Sequence, residues 1–166
     1  MTFSQAPVSS LDVNPFKSLE GQGFLVTAGN SDKFNTMTAG WGGFGVMWSK
    51  RVMTVVVRPS RYTYEFMESS DIFTSSFFTS EYADALKFCG TRSGRKFDKC
   101  KETGLTPIFT DGGVAFEQAE FFYVCKKLYA YDIVPEGFIG GNVSDFYPHG
   151  DLHRAYVGEI INAYKK

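Results

Sequence analysis

Charge and hydrogen-bond donors concentrate in one short stretch of the chain, Arg58-Pro59-Ser60-Arg61-Tyr62-Thr63. It follows V-V-V, and its proline cannot continue a ladder, so it reads as the exit of a strand. A helix is expected to begin within it, over Arg61 to Glu68, with Ser60 as N-cap and Tyr62, Phe66 and Met67 on one face. Two guanidinium groups, two hydroxyls and the free N–H groups of a helix start then converge. Such a cluster holds a phosphate through charge-assisted bonds and the positive end of a helix. A solvated capping segment with ordinary surface arginines fits the same residues equally well. Asn35-Thr36-Met37-Thr38 is a second polar stretch of small residues, set in an aromatic-rich neighbourhood.

Other candidates carry less. Gly40-Trp41-Gly42-Gly43-Phe44-Gly45 spells G-x-G-x-x-G, but a strand at Val52 to Val57 follows too closely for the helix that a dinucleotide site requires. Those glycines are expected to form a bulge and turn, or to let backbone approach a flat group. His149 and His153 have H-x3-H spacing. Pro148 and Gly150 disfavour the helix that would set both imidazoles on one face, so no metal is expected. His149 reads as a solvated loop residue, whereas His153 opens a strand and is positioned to point into a pocket. Cys89 has Arg92, Arg95 and Lys96 nearby, which would lower its pKa, yet it sits on the apolar face of an expected helix and reads as buried and inert. No Gly-x-Ser-x-Gly elbow is present.

The elements that must position these residues are mostly strands. Gly23 to Ala28, Asn35 to Trp41, Val52 to Val57 and Ile72 to Phe78 read as strands, the third being apolar on both faces. Ile108-Phe109, Val114 to Phe116 and Ala119 to Asp132 follow, with a tight turn at Asp111-Gly112-Gly113. Phe138 to Asp145 is expected as a short strand broken by Gly140-Gly141, and His153 to Tyr164 as the last strand. Helical readings fall within residues 11–22, over Tyr82 to Cys89, and as one turn at Asp98 to Glu102, with Gly90 to Lys96 a polar loop. Strands and helices do not alternate regularly, so a doubly wound parallel sheet is not expected, and an antiparallel barrel with helical insertions is.

At 166 residues, 43% hydrophobic and 21% charged, the chain reads as one globular domain over its whole length. A net charge of −1 argues against nucleic-acid binding through bulk positive charge. No apolar run approaches the ~20 residues that span a bilayer, and Met1 to Gln5 do not begin a signal peptide. Three cysteines without C-x-x-C spacing suggest reduced thiols and a cytoplasmic location. The unusual number is 17% aromatic, a composition that suits strands and sites for flat ligands.

Four segments in order resemble the flavin reductase-like family: N-T-M-T-A-G-W at 35–41, V-V-V-R-P-S-R-Y-T at 55–63 with the helix and I-F-T-S-S-F that follow, F-C-G-T-R-S-G-R-K-F-D-K at 88–99, and H-R-A-Y-V-G-E-I at 153–160. The similarity runs from about Gly23 to Ile161. It implies a mainly β (α+β) chain folded as an antiparallel Greek-key, FMN-binding split β-barrel with short helical insertions, akin to the pyridoxamine-phosphate-oxidase barrels and working as a homodimer. By position, the resemblance lays Asn35, Thr36, Met37, Thr38 and Trp41 along the isoalloxazine and ribityl chain. It places Arg58, Ser60, Arg61 and Thr63 at the FMN phosphate, with Lys99 approaching ribityl or phosphate. His153 is implied as the candidate catalytic residue, beside the flavin where a nicotinamide stacks. The chain departs from the family pattern at 40–45 and at Phe138 to Tyr147.

The resemblance therefore implies FMN as cofactor and hydride transfer from NAD(P)H to flavin. That chemistry belongs to the cofactor and needs no nucleophile or acid–base pair from the protein. Two alternatives share the same phosphate site: an FMN-carrying electron-transfer protein of flavoredoxin type, reduced by a redox protein partner, and a non-redox flavin-binding module. Neither nucleic acid nor membrane is expected as a partner.

Overall fold

The computed structural model describes residues 2–10 and 13–166. Met1 of the N-terminal reading and residues 11 and 12 of the 11–22 reading lie outside the described residues. The strands are β1 (Ser4–Ala6), β2 (Phe24–Gly29), β3 (Phe34–Ala39), β4 (Gly42–Met47), β5 (Lys50–Val57), β6 (Ile72–Phe77), β7 (Pro107–Thr110), β8 (Gly113–Phe116), β9 (Phe121–Asp132) and β10 (Arg154–Lys165). The helices are α1 (Pro15–Leu19), α2 (Tyr62–Ser69), α3 (Ala83–Thr91), α4 (Lys99–Thr103) and α5 (Val143–Phe146), with three 3₁₀ turns besides. Among the described residues no helix is long and apolar enough to cross a membrane.

The main sheet runs β3-β2-β6-β9-β10-β5-β4, with β1 added to the C-terminal end of β10. Every pairing is antiparallel, and β7 and β8 form a separate hairpin. The ladder does not close: β3 and β4 each have a single bonded neighbour. The result is the expected split barrel. Its interior is filled by alternate residues of the strands, among them Val26, Met37, Met53, Val55, Val57, Phe73 and Cys125, with Phe66 and Met67 of α2 packed against them. β5 shows why the elements form where they do. Its β-branched residues favour the pleat, and Met53, Val55 and Val57 are all fully buried. A second cluster forms outside the barrel, where Leu86 and Cys89 of α3 cover Leu25.

Much of the aromatic excess is core. Phe77 stacks on Phe121 at 4.5 Å and on Phe24 at 5.1 Å, and Phe44 and Tyr123 meet the same ring edge-on. Three readings of the sequence are corrected. The glycine-rich stretch 40–45 enters a strand, β4, which pairs with β5 through a two-residue turn at Trp48 and Ser49 with φ of 52° and 58°. Both values fit the right-handed twist of a hairpin. Phe138 to Asp145 is not a strand. Asn142 and Asp145 form a reciprocal capping box that starts α5, and Pro135–Gly137 makes a 3₁₀ turn before it. Ser60 does not cap α2; Arg61 holds the N-cap position without a side-chain bond.

β9 and β10 shift register between Val157 and Gly158. A Cβ at Gly158 would lie 2.6 Å from the buried Phe73 ring and 2.9 Å from Cys125 Cβ. Overpacking of this kind costs about 1–3 kcal/mol. Gly158→Ala should therefore lower the urea midpoint with an unchanged m-value, and an unaltered midpoint would show that Phe73 can yield.

Candidate functional site

β5 ends at Val57, which pairs with Arg154 of β10. Arg58 and His153, each one residue beyond that pair, therefore emerge at the same end of the ladder. Pro59 ends the strand, and Arg61 N–H donates to the Arg58 carbonyl at 3.0 Å, turning the chain into α2. The Ser60 hydroxyl and N–H both donate to the Asp151 carboxylate, and Ser60 stands one residue before the N-cap, Arg61. Thr63, in the first turn of α2, is buried and accepts from Asn35 Nδ2 at 2.7 Å. That bond ties β3 to the helix start.

A second wall comes from the segment after α3. Gly94 packs so tightly that a Cβ there would lie 2.0 Å from Asn35 Oδ1. Arg95 clamps the segment from outside: its guanidinium lies over the Tyr62 ring at 4.7 Å, pairs with Glu65 and donates to the Ser60 carbonyl at 3.4 Å. Lys99 begins α4 and is only 7% exposed. Its Nζ donates to the Thr36 carbonyl at 2.6 Å and to the Cys89 carbonyl at 2.8 Å. Burial, with Arg61 nearby, pulls its pKa down to about 8, against a partial opposing pull from Cys89. Arg61 donates to the Gly90 carbonyl at 2.7 Å.

These walls enclose a pocket of about 430 Å³, lined by Arg58, Arg61, Arg92 and Lys99 with no carboxylate among its lining residues. The imbalance suits an anion. Met37, Arg58 and Arg61 also line an adjoining cleft of about 180 Å³, whose other walls include Thr38, Gly40, Trp41, Val56 and His153. Together the two spaces fall within the ~300–1,000 Å³ of small-molecule sites. Trp41 is 52% exposed, and its ring centroid lies 5.1 Å from that of His153. The groove is thus cationic at one end and aromatic at the other.

Of the residues singled out in the sequence, Asn35, Met37, Arg58, Ser60, Arg61, Thr63 and Lys99 line the cationic pocket. Met37, Thr38, Trp41 and His153 line the aromatic cleft. Thr36 lies apart from both. Its hydroxyl accepts from Thr27 and donates to the Val26 carbonyl, while its own carbonyl holds Lys99. The Thr38 hydroxyl likewise donates away from the groove, to the Leu86 carbonyl of α3. Sequence reasoning missed Arg92, Ser93 and Gly94 as pocket walls and Tyr147 beside His153. The signal was the R-S-G-R run itself, a charged loop whose glycine sits between two arginines. Cys89 is buried, and burial pushes its thiol up to about 11 despite Lys99. It is an unreactive core thiol, as its place on the apolar face of α3 suggests. His149 is exposed.

Burial first, then Arg58 and Arg61, push the His153 pKa down to about 4 against the weaker opposing pull of Asp151. An unfolded chain protonates the same imidazole near 6.5. Between those values the unfolded state binds the extra proton, so stability rises with pH across that window and falls as the pH is lowered through it. An NMR titration should find His153 neutral down to about pH 4. A His153 midpoint at or above 6 would contradict the burial and the arginine field described here.

The chain matches the flavin reductase like domain family over residues 16–164. No curated protein matches it. Among solved structures it is similar to a flavoredoxin from Methanosarcina acetivorans, with 23% identity and a TM-score of 0.67, covering 86% of this chain and 67% of that one. It is similar to an FMN-binding protein from Thermus thermophilus crystallised with 1-cyclohex-2-enone, at 21% identity and a TM-score of 0.69, covering 98% and 78%. It also resembles the NADH:FAD oxidoreductase of Streptomyces globisporus, at 15% identity and a TM-score of 0.64, covering 87% and 75%. At these identities the likenesses establish the fold, the split barrel. With the domain match spanning nearly all of the sequence, the chain belongs to the flavin reductase like domain family.

Proposed function

We propose that the groove binds FMN and that the protein passes hydride from NAD(P)H to flavin. One observation carries the reading: a pocket with four cations and no lining carboxylate opens directly into a cleft walled by Met37, Val56, Trp41 and His153. A phosphate monoester joined by a polar chain to a flat ring matches that sequence of surfaces. The close approach of Gly94 to Asn35 bounds the cationic end, which favours FMN over a dinucleotide. The family match and the solved relatives named for FMN binding and for NADH:FAD oxidoreduction support the same reading.

On this reading Arg58, Arg61, Thr63 and Lys99 hold the phosphate, joined by Arg92, and Ser60 joins them by exchanging a bond to Asp151 for one to the phosphate. Arg58 is free for the task, because among the described residues its guanidinium hydrogen-bonds only to the Gly150 and Asp151 carbonyls, at 3.4 and 3.5 Å. Asn35, Met37, Thr38 and Trp41 flank the ribityl chain and ring, and Thr36 contributes indirectly by fixing Lys99. The flavin, when bound, supplies the hydride-accepting nitrogen, and the protein supplies position and electrostatics. His153, a neutral imidazole at the ring end, is the candidate catalytic residue. The free thiols Cys89, Cys100 and Cys125 suit a reducing cytoplasm. The working form is a homodimer, for which the exposed Val46, Met47, Trp48 and Tyr129 offer apolar surface.

The protein should be yellow after reconstitution, acid release should give FMN, and anaerobic NADH or NADPH should bleach the flavin band near ~450 nm. Bleaching by a reduced protein donor alone would assign it instead to flavoredoxin-type electron transfer, and no bleaching by either to a flavin-binding module. Light scattering at micromolar concentration should give twice the mass of one chain. Arg58→Ala should leave folding nearly intact but remove a charge-assisted bond of roughly 1.5–3 kcal/mol. FMN affinity should then fall by roughly ten- to a hundredfold, with riboflavin affinity hardly changed. Equal loss of both ligands would place Arg58 at the ring or in the fold instead of at the phosphate.

A further inference from the structure

His153 offers the groove one of two different edges, and its neighbour decides which. Its Nδ1 lies 2.9 Å from the Tyr147 hydroxyl. Its Nε2 makes no hydrogen bond among the described residues, and the ring lines the aromatic cleft beside Trp41 and Arg58. A neutral imidazole carries one N–H, so the bond at Nδ1 settles what Nε2 presents. Two arrangements satisfy the distance: phenol donating to bare Nδ1, or Nδ1–H donating to phenol oxygen.

The surroundings favour the first. The Arg58 guanidinium lies over the Tyr147 ring, 5.2 Å from its centroid. A cation there draws electron density from the phenol, making its O–H a better donor and its oxygen a poorer acceptor. Tyr147 is also held firmly. It is 5% exposed, with the Trp41 and Phe138 rings edge-on at 6.0 and 6.2 Å. Among the described residues, the segment that carries it pairs with no strand. The capped helix α5 ends on Tyr147, whose N–H donates to the Val143 carbonyl and whose own carbonyl accepts from Gly150 N–H.

We propose that Tyr147 is a positioning residue that fixes the tautomer of His153, so that Nε2–H is the donor the aromatic end of the groove offers to a bound ring. The ligand edge it recognises is an uncharged acceptor, a carbonyl or carboxamide oxygen or a bare ring nitrogen, and it disfavours a ring that presents only donors. The identity of that ring rests on the flavin reading above. The tautomer does not, and it is measured on the ligand-free chain.

Two-bond ¹H–¹⁵N spectra separate the tautomers, and the chain has only two histidines, of which His149 is exposed and serves as reference. At pH 7 the unmodified chain should show His153 as a single form, protonated at Nε2 and bare at Nδ1. In Tyr147→Phe, His153 should become a tautomer mixture with a raised titration midpoint, while His149 stays unchanged. An Nδ1–H signature in the unmodified chain, or identical His153 spectra in both proteins, would overturn the proposal. With FMN bound, Tyr147→Phe should slow hydride transfer from NADH roughly tenfold through misorientation, with FMN affinity within about twofold. Glutamine at 153 keeps a donor at the Nε2 position without needing Tyr147. Adding Tyr147→Phe to His153→Gln should therefore cause no further slowing, and an equal slowing in both backgrounds would show that Tyr147 acts by another route. If no flavin binds at all, the reading of the groove fails while the spectra still decide the role of Tyr147.

Discussion

The pairing of Val57 with Arg154 is the constraint on which the site depends. In an antiparallel ladder, side chains alternate with a period of two, and a slip of one residue exchanges the faces of the whole strand. Here Val55 and Val57 fill the barrel while Val56 faces the aromatic cleft. The same register brings Arg58 and His153 out together, one at the end of β5 and the other at the start of β10. β3 approaches from the far end of the ladder, where the barrel fails to close, and lends Met37 to both halves of the groove. The groove thus lies where β3, at one end of the open ladder, approaches the exit of β5.

A second consequence is electrostatic. Arg58, Arg61, Arg92 and Lys99 are gathered around one pocket without a carboxylate in its lining. The protein offsets part of their repulsion with backbone carbonyls: Gly90 for Arg61, and Thr36 and Cys89 for Lys99. Carbonyl dipoles orient cations without neutralising them. The remaining field is visible in its effects, since Arg61 helps to lower both Lys99 and His153. Lys99 and His153 thus respond to one cationic field from the walls of two adjoining spaces.

The legible parts of the fold were those in which local preference and tertiary demand agree. β2, β3, β5, β6 and β10 carry apolar or alternating runs that only a strand can bury. β4 was hidden because Gly42, Gly43 and Gly45 have poor strand propensity, and its existence depends on a ladder to β5 and a turn at Trp48-Ser49. Phe138 to Asp145 misled in the opposite sense, since its aromatics suggest a strand while the Asn142 and Asp145 cap starts a helix turn. At the site, the Arg58 to Thr63 cluster was readable because its donors are contiguous. Arg92 and Tyr147 were not, because each reaches the groove through folding alone, from segments some thirty and ninety residues beyond Arg58. Thr36 illustrates a different limit: four consecutive strand residues, Asn35 to Thr38, cannot all face one ligand, and which of them turn inward depends on the partner strand.

The connection between β9 and β10 binds the two ends of the groove into one unit. Its Asp151, in the left-handed region at φ 58°, accepts from Ser60 beside the cationic pocket. The carbonyls of Gly150 and Asp151 face Arg58, whose guanidinium in turn covers Tyr147, and Tyr147 bonds His153 at the aromatic end. A non-glycine residue in that backbone region is a strain that persists only where its surroundings enforce it. What enforces it here is the pair of bonds from Ser60, so the strain and the site share the same contacts. Arg58 and Ser60, which line the cationic pocket, are thus joined through Asp151 and Tyr147 to the imidazole at the other end.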